Sequence, residues 1–298
     1  MLNYIDINPP SSNLTKVIQK NIKASYCTLI VIALSCLCID TASAAEEEGA
    51  YGVTNFAFSS YLGTGFYTTS GQNVFVLHLP FDYTIKEKSD TEAGWSLNLP
   101  VTLGFINFDT IDPIDIPNLK NNVRTITFLP GIEYRYPVTP DWTVIPFADY
   151  GFARDLDHTN NVLITGVGAK SYASFRHKKN LFTLGNRLLY SRERSGHTSN
   201  DSSYSLIETG LNYRMTSDHY FDNGALYANF YYINFYYPND LVFFERTANP
   251  VRVGMEHELG VTISNISDFL FFKKPQLGIG VRFGNNVDVY RIIFGAPF

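Results

Sequence analysis

Strict alternation of apolar and polar positions is the main pattern of this chain. From Phe75 to Ile85 every odd position is apolar, whereas the positions between them include His78, Asp82 and Thr84. The stretch from Trp95 to Phe105 follows the same rule. A helix would repeat its apolar residues every three or four positions, whereas a strand places every second side chain on one face. The pattern therefore predicts two strands, each with one apolar face.

Ten further segments alternate in the same way, which brings the expected number of strands to about 12. They lie near 53–66, 122–136, 141–154, 162–176, 180–193, 203–215, 224–236, 250–264, 275–284 and 287–298. The connectors differ in length: 137–140 and 176–180 are short, whereas 108–121, 193–202 and 237–249 are long and rich in polar and turn-forming residues. This arrangement is typical of consecutive hairpins.

The predicted strands are long enough to cross a membrane. A spanning strand needs about 9–11 residues, compared with about five or six in globular sheets. Lipid offers no hydrogen-bond partners, so strands cross it only as a closed barrel. We therefore predict an all-β fold, a closed antiparallel transmembrane β-barrel of about 12 strands in residues 45–298. Short connectors would be periplasmic turns and long ones outer loops. A soluble secreted sandwich or lipocalin-like barrel is the alternative.

The N-terminal region has the pattern of a secretory signal peptide. Lys16, Lys20 and Lys23 precede the apolar run Cys27–Ile39, and Ala42–Ala44 provides the small residues that signal peptidase requires. The run is shorter than the roughly 18 residues of a membrane-spanning helix. We predict a signal peptide over residues 1–44, cleavage near Ala44, and export to the bacterial outer membrane.

Composition narrows the function classes further. All three cysteines lie within the predicted signal, so the exported part carries no disulfide; lipoprotein attachment through Cys36 or Cys38 is the less favoured alternative. Aromatic residues make up 15% of the chain, and tyrosine in particular suits boundaries between water and apolar phases. The net charge of -5 argues against nucleic acid as a partner.

The C-terminal segment is the most specific signal. Tyr290, Ile292, Phe294, Ala296 and the final Phe298 share one face of the last predicted strand. This is similar to the C-terminal strand of bacterial outer-membrane proteins, which the barrel-assembly machinery engages. We therefore expect outer-membrane lipid and the barrel-assembly machinery as partners.

Two features together resemble a narrower family. The segment Gly278–Asn286 and the Pro297-Phe298 ending resemble the solitary outer-membrane autotransporter-like β-barrel family. The resemblance implies a twelve-stranded, autotransporter-like translocator barrel without a passenger domain. Only about eight residues separate Ala44 from the first predicted strand, which agrees with that expectation.

Charged residues lie on the polar faces of the predicted strands. A lipid-facing Arg or Lys near the membrane midplane costs about 2–4 kcal/mol, so these side chains are expected to point into the lumen. The set is Glu133, Arg135, Arg187, Glu208, Arg214, Arg252, Glu256, Glu258, Arg282 and Arg291. Because the two signs nearly balance, we predict a hydrated ion-pair network that fills a narrow lumen. A selective channel for small solutes is the alternative.

One short motif suggests chemistry. His197-Thr198-Ser199-Asn200 looks like the His-x-Ser-Asn segment of outer-membrane phospholipase A and the lipid A deacylase, in which His197 would activate Ser199 for acyl attack. In a regular strand Glu208 faces away from His197, so it does not provide the third group. A solvated loop is the simpler interpretation. The sequence indicates no metal site and no cofactor. It favours a structural or passive-transport barrel, with a lipid acyl hydrolase as the alternative.

Overall fold

The computed structural model describes residues 56–69, 72–106, 123–156, 161–195, 201–221, 224–243, 251–264, 276–284, 287–295 and 297. The chain forms two units, Met1–Gly49 and Ala50–Phe298, and every described residue belongs to the second. The described part of that unit contains one short helix, α1 (Phe56–Ser60), followed by strands. Among the described residues no helix is long and apolar enough to cross a membrane.

The sheet contains fifteen strand segments. They are β1 (Gly65–Thr69), β2 (Gln72–Leu79), β3 (Asp82–Lys86), β4 (Gly94–Asn98), β5 (Val101–Ile106), β6 (Val123–Phe128), β7 (Gly131–Thr139), β8 (Trp142–Asp155), β9 (Asn161–His177), β10 (Asn180–Ser195), β11 (Asp201–Phe221), β12 (Gly224–Phe243), β13 (Val251–Ser264), β14 (Leu277–Gly284) and β15 (Val287–Phe294). All of their pairings are antiparallel.

These segments form a closed barrel of twelve strands. Three of the strands consist of two segments each: β2 with β3, β4 with β5, and β6 with β7. β8 pairs with β6 and β7 along one edge and with β9 along the other. β1 pairs with both β2 and β15, which closes the sheet. The predicted fold class is therefore confirmed.

The three divided strands are interrupted at prolines that lie side by side. Pro80, Pro100 and Pro130 each stand at the break between two segments. Proline has no N–H to donate to the ladder. Hydrogen bonds continue across the breaks, because Leu99 N donates to Phe81 O at 2.7 Å and Leu129 N donates to Pro100 O at 3.4 Å. The prolines thus interrupt three neighbouring strands at one level, while the hydrogen bonds between these strands continue.

Side chains alternate between a buried inner face and an exposed outer face, as the sequence predicts. On β13, Leu259, Val261 and Ile263 are exposed, whereas Glu258, Thr262 and Ser264, which occupy alternate positions, are buried. Large aliphatic and aromatic side chains are also exposed on the other strands, for example Phe175, Ile207 and Ile279. This is the reverse of a soluble protein, in which apolar residues are buried and charges are exposed.

The first predicted strand is wrong in part. Within 53–66 the structure forms α1 and a connection, and strand β1 begins only at Gly65. Phe56 and Phe58 alternate with small residues, but α1 lies inside the barrel, where it is surrounded by protein and needs no exposed face. The predicted short turns are found at Pro140-Asp141 and Lys178-Lys179. β12 extends to Phe243, so part of the predicted 237–249 loop is strand.

Candidate functional site

A fully buried carboxylate, Glu258, organises the lumen between β13 and β15. Its Oε2 accepts from Arg282 Nε at 2.9 Å, and its Oε1 accepts from Arg291 Nη1 at 2.8 Å. Glu258 and Arg282 are directly opposite each other on β13 and β14. Tyr231 OH donates to the same Oε1 at 2.9 Å. Because it is bound by two cations and a phenol, this carboxylate is held in one place.

A second carboxylate extends this cluster toward β12. Glu256 Oε2 accepts from Tyr237 OH at 3.0 Å and lies 3.6 Å from Arg282 Nη1. The Arg282 guanidinium lies over the Phe235 ring at 3.7 Å, a distance suited to a cation–π contact. Two carboxylates and two guanidiniums therefore balance within one buried cluster, which we call the Glu258 cluster (Glu256, Glu258, Arg282 and Arg291).

Paired glycines make room for this cluster. Gly260 and Gly280 are opposite each other on β13 and β14. A Cβ on Gly280 would approach the hydroxyl oxygen of Tyr231 to an impossible distance, and Gly260 has the same neighbour. The bare backbone there lets the Tyr231 phenol reach Glu258.

The opposite wall carries a second group of charges around Glu133. Lys170 Nζ lies 2.6 Å from Glu133 Oε1, and Arg135 Nη2 lies 3.3 Å from Oε2. Asn98 Nδ2 donates to Oε1 at 2.8 Å. The group holds one acidic and two basic side chains, so it carries one excess positive charge.

A third group of lumen charges is the ion pair between Arg187 and Glu208, whose Nη2 and Oε2 atoms lie 2.5 Å apart. Arg187 is also directly opposite Lys170 across β9 and β10. Like charges in facing positions repel each other. Each of the two cations is offset by a carboxylate on its other side, Glu133 for Lys170 and Glu208 for Arg187.

The N-terminal segment enters the lumen. Ala57 N donates to Glu193 Oε2 at 2.7 Å, and Tyr204 OH donates to Ala57 O at 3.5 Å. The ring of Phe58 makes edge contacts with Tyr204 and Tyr237, whose side chains are buried on inward faces. α1 is therefore packed against the inner walls of β10, β11 and β12.

Tyr61 fixes the segment to β8. Its hydroxyl donates to Asp149 Oδ2 at 2.8 Å and lies against Gly166, where a Cβ would clash with it. Burial and, after it, the charge of Asp149 raise the pKa of the Tyr61 phenol above its ordinary value, so the phenol stays protonated and keeps donating. Further along, Gly63 leaves space for the Arg291 guanidinium.

Between these groups lies a cavity of about 720 Å³. Its polar lining includes Asp149, Lys170, Arg187, Glu208 and Arg291. This volume is within the range of small-molecule sites, about 300–1,000 Å³. The lumen is thus neither fully packed nor an open pore.

The structure brings most of the predicted lumen charges to the inner face. Glu133, Glu208, Glu256, Glu258 and Arg282 are buried, and Arg135, Arg187, Arg214 and Arg291 are partly buried. Arg214 Nε donates to Asn229 Oδ1 at 3.1 Å. Asp149, Lys170 and Glu193 are among the charged lumen residues that were missed from the sequence. Around Lys170 the chain is rich in Gly, Ala and Ser, so the alternation has little contrast.

Arg252 departs from the expectation, because its side chain is exposed. Val253 and Glu256 are both buried, although residues three apart in a regular strand face opposite sides. The register between β12 and β13 shifts between Tyr236 and Leu241, opposite this part of β13. This irregularity reverses the alternation, and a β-bulge of that kind is not visible in a single strand's pattern.

The remaining predicted residues divide into two groups. Tyr290, Ile292 and Phe294 are exposed on the outer face of β15. Phe298, His197 and Ser199 lie outside the described residues, so their predicted roles in assembly and acyl chemistry stay predictions. Among the described residues no group of three or more His, Cys, Asp or Glu is arranged to hold a metal ion.

Comparison with protein-family models finds no match for this chain, and a search of curated proteins finds none either. The function is therefore inferred from the residues that line the lumen.

Proposed function

We propose that this protein is an integral outer-membrane β-barrel that is closed at rest, with a structural or small-solute passive-transport role. The observation that carries the proposal is the filling of the lumen by α1 and by ion pairs. Near-balanced, paired charges favour a closed lumen over a strongly selective one, because most of the lumen cations are already bound to a carboxylate.

Membrane insertion is supported by the outer surface. Exposed apolar side chains such as Phe152, Phe230 and Ile279 lie on strands around the wall. Contiguous apolar surface of this kind is rare on soluble monomers and suits an environment of lipid. The predicted signal peptide and C-terminal strand support export and assembly in the outer membrane.

The narrower autotransporter-like assignment stays a proposal. It is supported by twelve strands and by the sequence resemblance of the last two strands. We propose a translocator-type barrel without a passenger domain, and barrel-assembly machinery as its partner during insertion.

Single-channel recording of refolded residues 45–298 in planar bilayers tests the closed lumen. We expect small, weakly selective conductance from the wild type. Tyr61→Phe combined with Glu193→Ala removes two attachments of the N-terminal segment, so this variant should open more often and conduct at least threefold more on average. Tyr150→Phe is the matched control, because Tyr150 follows Asp149 but is exposed on the outer face.

A large, sharply selective resting pore in the wild type would contradict the proposal. So would an unchanged conductance in the double variant, provided that its heat-modifiability on gels matches that of the wild type. The alternative function, a lipid acyl hydrolase, is supported only by the sequence motif that contains His197 and Ser199.

A further inference from the structure

The first strand is too short to fill the wall on its side of the barrel. β1 pairs Gly65–Thr69 with β15 on one side and with β2 on the other. Thr64 makes the last hydrogen bonds to the two neighbouring strands. Ile292 N on β15 donates to Thr64 O at 2.9 Å, and His78 N on β2 donates to Thr64 Oγ1 at 2.9 Å. From Phe56 to Gly63 the chain lies in the lumen rather than in the wall.

Two strand edges therefore face each other, and no described strand lies between them. On one side are the end of β2 and all of β3, which among the described strands pairs only with β4. On the other side is the end of β15, near Phe294. Neighbouring strands lie about 4.8 Å apart, so one missing strand separates the two flanking backbones by about 10 Å. We call this gap the seam opening and define it by Pro80–Lys86 and Ile292–Gly295.

The lumen cavity extends into the seam opening. Ile292 and Phe294 are on the outer face of β15 and are exposed, yet they line the same cavity as inward-facing Arg187 and Glu208. Phe81 lines it from the opposite side of the gap. A cavity lined by residues of both faces is expected where the wall is interrupted, as it is between β3 and the end of β15.

The opening is apolar outside and cationic inside. Phe81, Ile292 and Phe294 form the rim toward the outer surface. Inside, the buried Nε–H groups of Arg187 and Arg291 have no hydrogen-bond partner among the described residues, although both guanidiniums are ion-paired through other nitrogens. Unpaired buried donors are costly, so an acceptor placed there would be stabilised.

We propose that the seam opening is a lateral portal through which a single-chain amphiphile with an anionic headgroup enters the lumen from the membrane. The headgroup would accept from Arg187 and Arg291, and the acyl chain would leave between Phe81 and Phe294. A gap about one strand wide admits one chain more readily than two. A polar solute that enters from water would make no favourable contact with the apolar rim. The inference rests on the proposed membrane insertion.

Photolabelling tests the portal. Refolded residues 45–298 in phosphatidylcholine nanodiscs receive a sixteen-carbon fatty acid that carries a diazirine next to its carboxylate, and adducts are mapped by mass spectrometry. We expect adducts on inward residues such as Asp149 and Glu208. A fatty alcohol with the same diazirine should label these residues at least fivefold less, because it lacks the charge.

Two variants distinguish entry through the portal from ordinary contact with lipid at the outer surface. Phe81→Ser makes the rim polar and should reduce labelling of the lumen at least threefold. Phe283→Ser is the matched control, because Phe283 is also on an outer face and is exposed to 42%, compared with 38% for Phe81. It should leave labelling of the lumen unchanged.

Three results would overturn the portal: adducts confined to outward residues around the whole wall, equal labelling of the lumen by acid and alcohol, or equal effects of the two variants. Folding and insertion are measured separately by heat-modifiability and co-flotation with lipid. If the chain inserts but the lumen is not labelled, only the portal fails; if the chain does not insert, the proposed function fails with it.

Discussion

Replacing Glu258 with Gln removes the charge that holds Arg282 and Arg291 in the lumen. The substitution keeps the size of the side chain, so packing changes little while two buried guanidiniums lose their main partner. Removing one partner of a buried ion pair typically costs about 3–5 kcal/mol, because an uncompensated charge is left in the interior. Glu256 lies 3.6 Å from Arg282 and offsets part of this loss. We expect the free energy of unfolding to fall by about 3–5 kcal/mol.

The assay is urea unfolding of the refolded chain in lipid vesicles, followed by tryptophan fluorescence. Glu92→Gln is the control: Glu92 pairs with Lys86 at 3.2 Å, but their side chains are 68% and 54% exposed. Exposed pairs contribute about 0–1 kcal/mol, so this variant should unfold almost like the wild type. If Glu258→Gln lost no more stability than Glu92→Gln, the cluster would not be a buried, mutually dependent unit.

Three other substitutions test separate parts of the account. Gly280→Ala should destabilise the barrel by about 1–3 kcal/mol in the same urea assay, because its methyl group would displace the Tyr231 phenol; wild-type stability would show that the close packing is not real. Phe298→Asp should leave export intact but reduce the heat-modifiable barrel in cell envelopes, and normal assembly would count against the terminal-strand signal. Ser199→Ala should change neither phospholipid hydrolysis nor labelling by a serine-directed inhibitor, whereas stoichiometric wild-type labelling that the variant loses would establish the hydrolase.

The strands could be predicted because lipid outside and polar groups inside impose the same alternation over long segments. β8, β9 and β13 begin and end within one residue of their predicted bounds. The inward position of Glu258 and Arg282 follows from that alternation. Their pairing does not, since it depends on the register between two strands, which neither strand encodes alone.

The position of the lumen segment, Phe56–Gly63, could not be predicted from this alternation. α1 is only five residues long, and its position depends on distant partners such as Glu193 and Tyr204. Arg252 shows the corresponding limit within a strand, because a bulge reverses the alternation that the prediction relies on. The seam opening exists because β1 is short. A longer first strand is predicted over 53–66, so the opening could not be predicted.

The central claim is that the apolar face of each strand meets lipid while the opposite face lines a closed lumen. Residues 45–298 contain no cysteine, so single cysteines can be introduced at Leu259, Val261, Thr262, Ile263 and Ser264 and spin-labelled without background. In vesicles, labels at Leu259, Val261 and Ile263 should be accessible to oxygen but not to a water-soluble nickel chelate. Labels at Thr262 and Ser264 should be poorly accessible to both. Accessibility to the nickel chelate without a period of two, or highest at Leu259, Val261 and Ile263, would contradict the account.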